Sequence, residues 1–111
     1  METKPVIHIV GTRCQPEVEE KFNTWYDQTH IPMLLKFNGL RGATRYKISK
    51  AGEGYPEYIS IYEFDNRQAF ETCETSPELA AALDEMRETW REGGWEMVWR
   101  VQYEVMKTWR K

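Results

Sequence analysis

The chain has 111 residues, of which 41% are hydrophobic, 14% aromatic and 30% charged, and its formal net charge is −3. This length predicts a single domain, residues 1–111, that buries about two-thirds of its unfolded surface. No run of Lys or Arg offers the concentrated basic surface that nucleic acid binding needs, and no apolar run approaches the ~20 residues of a membrane span. The start of the chain has no apolar leader region, so we expect a cytoplasmic protein.

The two cysteines, Cys14 and Cys73, stand far apart and belong to no Cys-x-x-Cys or Cys/His cluster. This pattern argues against a zinc site and predicts two ordinary buried thiols. No phosphate-binding glycine loop or Ser/His/Asp arrangement is present either. We therefore expect no metal and no cofactor. The fifteen aromatic rings exceed what one small core needs, so some are expected to line a pocket or a subunit contact.

The first predicted strand covers residues 5–10, which are apolar on both faces, as is typical of a central strand. Gly11-Thr12-Arg13 is expected to close it. A helix is then predicted from about Glu17 to His30. Pro32 lacks an N–H and would clash with the carbonyl of Gln28, so the helix is expected to end or kink there and restart as a short second piece.

A second strand is predicted over residues 41–49, with Ala43, Arg45 and Lys47 on one face and Tyr46 on the other. The third strand, residues 57–64, is apolar or aromatic on both faces and is therefore also expected to be central. A glycine-rich turn at residues 51–54 joins the two strands.

The second half of the chain repeats this plan. Asp65 or Asn66 is expected to cap a short helix, and Ser76-Pro77 begins a longer one that Gly93-Gly94 ends. A last strand covers roughly residues 97–106. The order strand, helix, strand, strand, helix, strand predicts a ferredoxin-like α+β fold with a four-stranded antiparallel sheet and both helices on one face. The apolar side chains on the other face of the sheet must be shielded from water. The simplest arrangement is a second copy packed sheet against sheet, so we expect a homodimer.

One motif carries a resemblance to a known family: Phe22-x-x-Trp25-Tyr26-Asp27-x-x-His30-x-Pro32-x-x-Leu35, then Gly39, then Ala43-x-Arg45-Tyr46. It resembles the EthD-like members of the dimeric α/β-barrel superfamily. The resemblance implies a pocket in each subunit between the sheet and its own helices, with His30 at that pocket. The superfamily includes cofactor-free monooxygenases, polyketide cyclases, lactone isomerases and haem-handling enzymes. The Asn-Trp-His set of the haem-degrading branch has no match, and His30 is the single plausible axial donor.

His30 is the main catalytic candidate because an imidazole titrates near neutral pH and can take or give a proton. Asp27, one helical turn earlier, could hold one tautomer of the ring. The alternative is a histidine that caps the helix end through a carbonyl. Trp25 and Tyr26 could bind a flat apolar substrate or simply pack in the core.

Further substrate-binding candidates lie on the strands. Arg45 and Tyr46 point to opposite faces, so only one of them can face a given pocket. Arg45 could bind an anionic ligand or form a salt bridge, and Tyr62 could offer its hydroxyl to a substrate oxygen or lie in the dimer contact. His8 is interpreted as a core or interface histidine.

These residues predict a small-molecule binding protein or a cofactor-independent enzyme that transfers a proton at His30. The substrate would be small and apolar, aromatic or polyketide-like, and the reaction that of a monooxygenase, isomerase or cyclase. The alternative is a non-catalytic ligand-binding or accessory module of a degradation or biosynthesis pathway.

Overall fold

The computed structural model describes residues 4–50 and 53–111, and within them four strands form one antiparallel sheet. The strands are β1 (Val6–Cys14), β2 (Leu40–Lys47), β3 (Tyr58–Phe64) and β4 (Trp95–Glu104). Their order across the sheet is β2-β3-β1-β4, so the first and third strands are central, as predicted. This is the ferredoxin-like α+β arrangement. Of the turn predicted at residues 51–54, Ala51 and Gly52 lie outside the described residues, and Glu53-Gly54 form a turn in which Gly54 has a φ of 82°.

The first strand is longer than its sequence suggested. The expectation that Gly11-Thr12-Arg13 closes it is wrong, because the strand continues to Cys14, which pairs with Trp95 of β4. A register shift directly after Gly11 marks a β-bulge. A Cβ atom at Gly11 would lie 2.8 Å from Pro56 Cγ, so close packing explains why a glycine stands there.

The first helical segment runs without a break from residue 16 to residue 34. It consists of a 3₁₀ turn (Pro16–Val18), α1 (Glu19–Trp25), a π turn (Tyr26–His30) and α2 (Ile31–Leu34). The helical path does not stop at Pro32, but the predicted short second piece is present, because α2 begins at Ile31 and holds Pro32 in its first turn. The backbone N–H of Ile31 donates to the carbonyl oxygen of Tyr26, the hydrogen bond of a π turn. We attribute the continuation to this wider turn, which leaves room for a proline ring that would clash with an α-helical carbonyl.

The second half holds two helices separated at the predicted boundary, α3 (Arg67–Glu74) and α4 (Pro77–Thr89). Asn66 Oδ1 accepts from the backbone N–H of Ala69 at 2.8 Å and caps α3. Ser76 Oγ accepts from the backbone N–H of Leu79 at 3.1 Å and caps α4. Both N-caps are confirmed, and Gly93-Gly94 ends the helical part with positive φ angles of 73° and 116°.

The two faces of the sheet carry different side chains. The face toward the helices holds Val6, His8, Val10 and Thr12 of β1, and Tyr58, Ser60, Tyr62 and Phe64 of β3, all of them buried. The opposite face, here called the open face, carries Ile7, Ile9, Ile59, Ile61, Trp99, Val101 and Tyr103. Each of these is half-buried or exposed, and no helix in the described part of the chain packs on them. The core therefore lies on the helix side of the sheet.

Candidate functional site

A cavity of about 120 Å³ lies between the helices and the sheet. Its walls are formed by His8, Val10, Tyr26, His30, Leu34, Leu40, Tyr62, Phe64, Phe70, Cys73, Glu74, Leu79, Leu83, Met86, Trp95, Met97 and Arg100. The walls are thus mostly apolar, with a few polar groups, which is the usual character of a small-molecule pocket. Three residues singled out in the sequence lie on these walls: His30, Tyr26 and Tyr62.

His30 reaches the cavity from the π turn and is only 8% exposed. The indole of Trp25 stacks on its ring, with 4.7 Å between centroids and 25° between planes. The ring of Tyr26 meets it edge-on at 5.2 Å. Within residues 4–50 and 53–111, no group lies within hydrogen-bond distance of the buried Nδ1 atom. Nδ1 of His30 therefore does not cap the helix end by a hydrogen bond to a carbonyl, which was the alternative role for this residue.

Burial lowers the pKa of His30 to about 4, and the nearby carboxylate of Glu85 opposes that effect. The ring is therefore neutral at pH 7, with one nitrogen that accepts a hydrogen bond and one that donates. A buried polar atom without a partner costs about 1–3 kcal/mol. His30 borders the cavity, so a polar group of a bound molecule could meet its imidazole ring there.

Tyr26 and Tyr62 form a second polar feature of the cavity. Their hydroxyl oxygens are 3.2 Å apart, and either one can donate. Burial, followed by the adjacent Tyr26, raises the pKa of Tyr62 well above its usual value. The phenol of Tyr62 therefore stays protonated at neutral pH and can donate one hydrogen bond, either to Tyr26 or to an oxygen in the cavity.

His8 is a cavity residue that the sequence did not reveal. Gln102 Nε2 lies 2.8 Å from His8 Nδ1, and since an amide nitrogen can only donate, this geometry assigns the ring proton to Nε2. Burial lowers the pKa of His8 to about 4, and the charge of Arg100 adds to that effect. The cavity thus contains two neutral imidazoles, one on the helical wall and one on the sheet. His8 alternates with Val6 and Val10, but Ile7 and Ile9 are equally apolar, so the sequence carries no signal for the face that His8 takes.

An ion pair lies where the cavity meets solvent. Arg100 of β4 donates to Glu74 of α3 at 3.3 Å, and their side chains are 48% and 40% exposed. The two opposite charges balance each other, so this end of the cavity does not select an ion of either sign. Neither residue stood out in the sequence, because each is an ordinary charge in a mixed-charge chain.

Three predicted site residues lie elsewhere. The exposed carboxylate of Asp27 accepts from Arg45 at 2.8 Å, so the expected contact between Asp27 and His30 is not formed. Arg45 also donates to Asn23 at 2.9 Å and lies over the ring of Tyr26 at 4.4 Å, outside the cavity walls. Tyr46 is on the open face and is 50% exposed. Trp25, a fourth candidate, supports His30 from behind and does not line the cavity.

The sequence matches one protein family, described as "Domain of unknown function (DUF4286)", over residues 5–92. The chain belongs to this family. No functionally curated protein is detectably similar to the DUF4286 sequence.

Several solved structures share the fold of this DUF4286 chain. A hydroxynitrile lyase from Passiflora edulis has a TM-score of 0.70 at 14% identity, covering 98% of this chain and 100% of that one. An EthD family protein from Bacillus halodurans has a TM-score of 0.66 at 19% identity, covering 91% and 99%. SnoaB, a cofactor-independent oxygenase from Streptomyces nogalater, has a TM-score of 0.62 at 10% identity, covering 100% of each chain. The chain shares its ferredoxin-like fold with these structures, one of which is an EthD family protein, as the sequence resemblance predicted.

The DUF4286 chain offers little for metal or thiol chemistry in the part that the structure describes. Residues 4–50 and 53–111 contain no group of three His, Cys, Asp or Glu side chains that could hold a metal ion. Cys14 is half-buried and Cys73 buried, and both are free. Burial raises the pKa of each thiol, so neither is a thiolate at pH 7. No helix among these residues is long and apolar enough to cross a bilayer.

Proposed function

We propose that the DUF4286 protein binds a small, mostly apolar molecule in its cavity and that His30 meets the polar group of that molecule. The observation that carries this proposal is the buried, neutral imidazole of His30 in the wall of an apolar cavity. The balanced pair of Glu74 and Arg100 favours a neutral ligand. An aromatic or polyketide-like molecule with a hydroxyl or carbonyl group fits this chemistry.

The reaction we propose is a proton transfer that uses no cofactor. The neutral imidazole of His30 accepts a proton from a hydroxyl or an acidic C–H group, and the electron pair stays on the ligand. The hydroxyl of Tyr26 or Tyr62 donates to the oxygen on which that charge collects. The imidazolium that forms is stacked on Trp25, whose π face favours a cation. A proton transfer of this kind could serve an oxygenase, an isomerase or a cyclase.

The alternative is a ligand-binding or accessory module without turnover. It is favoured by the position of Asp27, which pairs with Arg45 and leaves the imidazole of His30 without the carboxylate partner that usually orients a catalytic base. Binding alone would still give the buried imidazole a polar partner. The two candidates differ in one measurable respect, namely whether the protein accelerates the loss of a proton from the molecule it binds.

Binding can be tested with p-cresol and p-xylene, which have nearly the same shape and differ in one hydroxyl group. We expect the wild-type protein to bind p-cresol about tenfold more tightly, the equivalent of one buried hydrogen bond. His30→Leu should remove this preference, because leucine fills a similar volume without a polar atom. NMR titration gives both dissociation constants. Equal preference for p-cresol in the wild type and the variant would contradict the proposal.

The location of the ligand and the reaction need their own controls. Leu83→Trp adds bulk to the cavity wall and should abolish binding, whereas Leu35→Trp at the exposed surface should not. Proton transfer is measured as deuterium uptake at the acidic carbon of benzoylacetone. If His30 is a base, His30→Leu lowers that rate by about 10²–10⁴-fold. Binding without any acceleration would support the non-catalytic alternative.

We further propose that the protein is a homodimer that buries the open face against a second copy. The residues Ile9 and Ile61 are paired at the centre of this face, with Trp99 and Tyr103 on the neighbouring strand. A contiguous apolar surface of this kind is rare on soluble monomers and marks an interaction site. The face is self-complementary in chemistry, as a two-fold interface requires.

Ile61→Lys is expected to convert the dimer to a monomer, because it places an unpaired charge at the centre of an apolar interface. The matched control is Gln68→Lys on exposed α3, which adds the same charge outside the open face. Sedimentation velocity at micromolar concentration separates the two species. A wild-type protein that sediments as a monomer at this concentration would contradict dimerisation.

A further inference from the structure

Glu85, on the inner side of α4, is held by two hydrogen bonds. The indole Nε1–H of Trp25 donates to its Oε1 atom at 2.8 Å. The hydroxyl of Thr89, one turn further along α4, donates to its Oε2 atom. Each carboxylate oxygen therefore has a donor, so the group has a defined position although it does not line the cavity.

Trp25 connects this carboxylate to the candidate site. Its indole is 6% exposed and lies against Phe22 and Trp90, so apolar contacts surround it. One face of the ring stacks on the imidazole of His30. A buried indole N–H needs an acceptor, and Glu85 is the acceptor here. The orientation of the indole, and with it the support of His30, therefore depends on Glu85.

Charge provides a second connection between Glu85 and His30. The other titratable groups around the cavity are Tyr26 beside His30, His8 on β1, Tyr62 on β3, Cys73 and Glu74 on α3, and Arg100 on β4. Of the charged groups in this set, Glu74 and Arg100 neutralise each other. Glu85 is the group whose charge raises the pKa of His30 against the effect of burial.

We propose that Glu85 is a positioning residue that acts on His30 through Trp25. It anchors the indole on which the imidazole stacks, and it places a negative charge where an imidazolium would form. This inference rests on the proposed role of His30 as the group that meets the ligand. In this proposal the carboxylate that acts on His30 is Glu85 of α4, and not Asp27, which the sequence suggested for that role.

Two substitutions separate the effect of the hydrogen bond to Trp25 from the effect of the negative charge of Glu85. Glu85→Gln keeps an oxygen that can accept from the indole but removes the charge. Glu85→Leu removes both. The matched control is Glu88→Gln on the same helix, where the side chain is exposed and pairs with Arg91. NMR spectra of the ligand-free protein report the indole N–H of Trp25 and the ring carbons of His30.

At pH 7 we expect Glu85→Leu to speed hydrogen exchange of the Trp25 indole N–H by about tenfold, the equivalent of one hydrogen bond, and to shift the His30 ring signals. Glu85→Gln should leave both close to the wild type. Between pH 7 and pH 4.5, Glu85→Gln should reduce the movement of the His30 signals, because the ring binds a proton less readily without the nearby charge. The control should behave like the wild type in every measurement.

The proposal is overturned if Glu85→Leu leaves the indole and imidazole signals in place, or if Glu85→Gln titrates as the wild type does. These measurements need no ligand, so they are independent of the p-cresol test. A protein that fails to bind p-cresol while Glu85→Gln changes the titration of His30 would contradict the proposed function and leave this connection standing.

Discussion

Replacing Phe22 with alanine is expected to lower the free energy of unfolding by about 3–5 kcal/mol. The side chain is 0% exposed, and five aromatic rings have centroids within 6.3 Å of its own: Trp25, Tyr26, Tyr58, Trp90 and Trp95. Large rings on all sides cannot collapse into the space that a phenyl group leaves, so the cost should lie near the top of that range. The same substitution would loosen Trp25 and so weaken the support of His30.

Urea unfolding followed by circular dichroism at one fixed protein concentration measures the effect, since dimerisation would make stability depend on concentration. Phe37→Ala is the matched control, because Phe37 is a half-buried phenylalanine of the other core cluster. Its loss should be about 1–2 kcal/mol, since less apolar surface returns to water. Equal losses in the free energy of unfolding for Phe22→Ala and Phe37→Ala would contradict the prediction that the rings around Phe22 cannot collapse into the vacated space.

A second large effect is expected in acid. His8 and His30 have a native pKa of about 4 against an ordinary value of 6.5, so between these limits the unfolded chain binds protons that the native protein does not. The free energy of unfolding should therefore fall as the pH drops from 6.5 to 4, by about 3 kcal/mol for each histidine. Above pH 6.5 both states are neutral at these rings, and the two histidines contribute no pH dependence.

The measurement is the slope of the free energy of unfolding against pH in the wild type, His8→Leu, His30→Leu and the double variant. Each single variant should lose about half of the histidine contribution, and the double variant should keep only the slope due to carboxylates. One such carboxylate is Glu19, whose pKa is lowered by its hydrogen bond from Tyr58 and by Lys47. Slopes alone are compared, because each substitution also changes stability at neutral pH. An unchanged slope in His30→Leu would contradict the buried, neutral imidazole.

Much of the fold followed from local chemistry that acts over a few residues. The caps Asn66 and Ser76 were visible because a short polar side chain before a helix has one dominant use. The central positions of β1 and β3 followed from strands that are apolar on both faces. The placement of His30 at a pocket came from the family resemblance, and the structure brings Tyr26 and Tyr62 to the same cavity.

What the sequence could not predict depends on contacts between distant residues. In β1, Ile7 and Ile9 are as apolar as Val6 and Val10, so alternation alone could not show that His8 faces the helices. The partner of Asp27 is Arg45, 18 residues away on a strand, and spacing along the helix pointed to His30 instead. The anchoring carboxylate of Glu85 is 60 residues from Trp25.

The π turn has a further consequence for how this wall of the cavity can vary. It closes with one residue more than an α turn needs. Deleting a single residue there would restore α-helical bonding and bring the ring of Pro32 against a backbone carbonyl. The extra residue of the π turn therefore does two things at once, because it admits Pro32 and it sets the direction in which His30 leaves the helix.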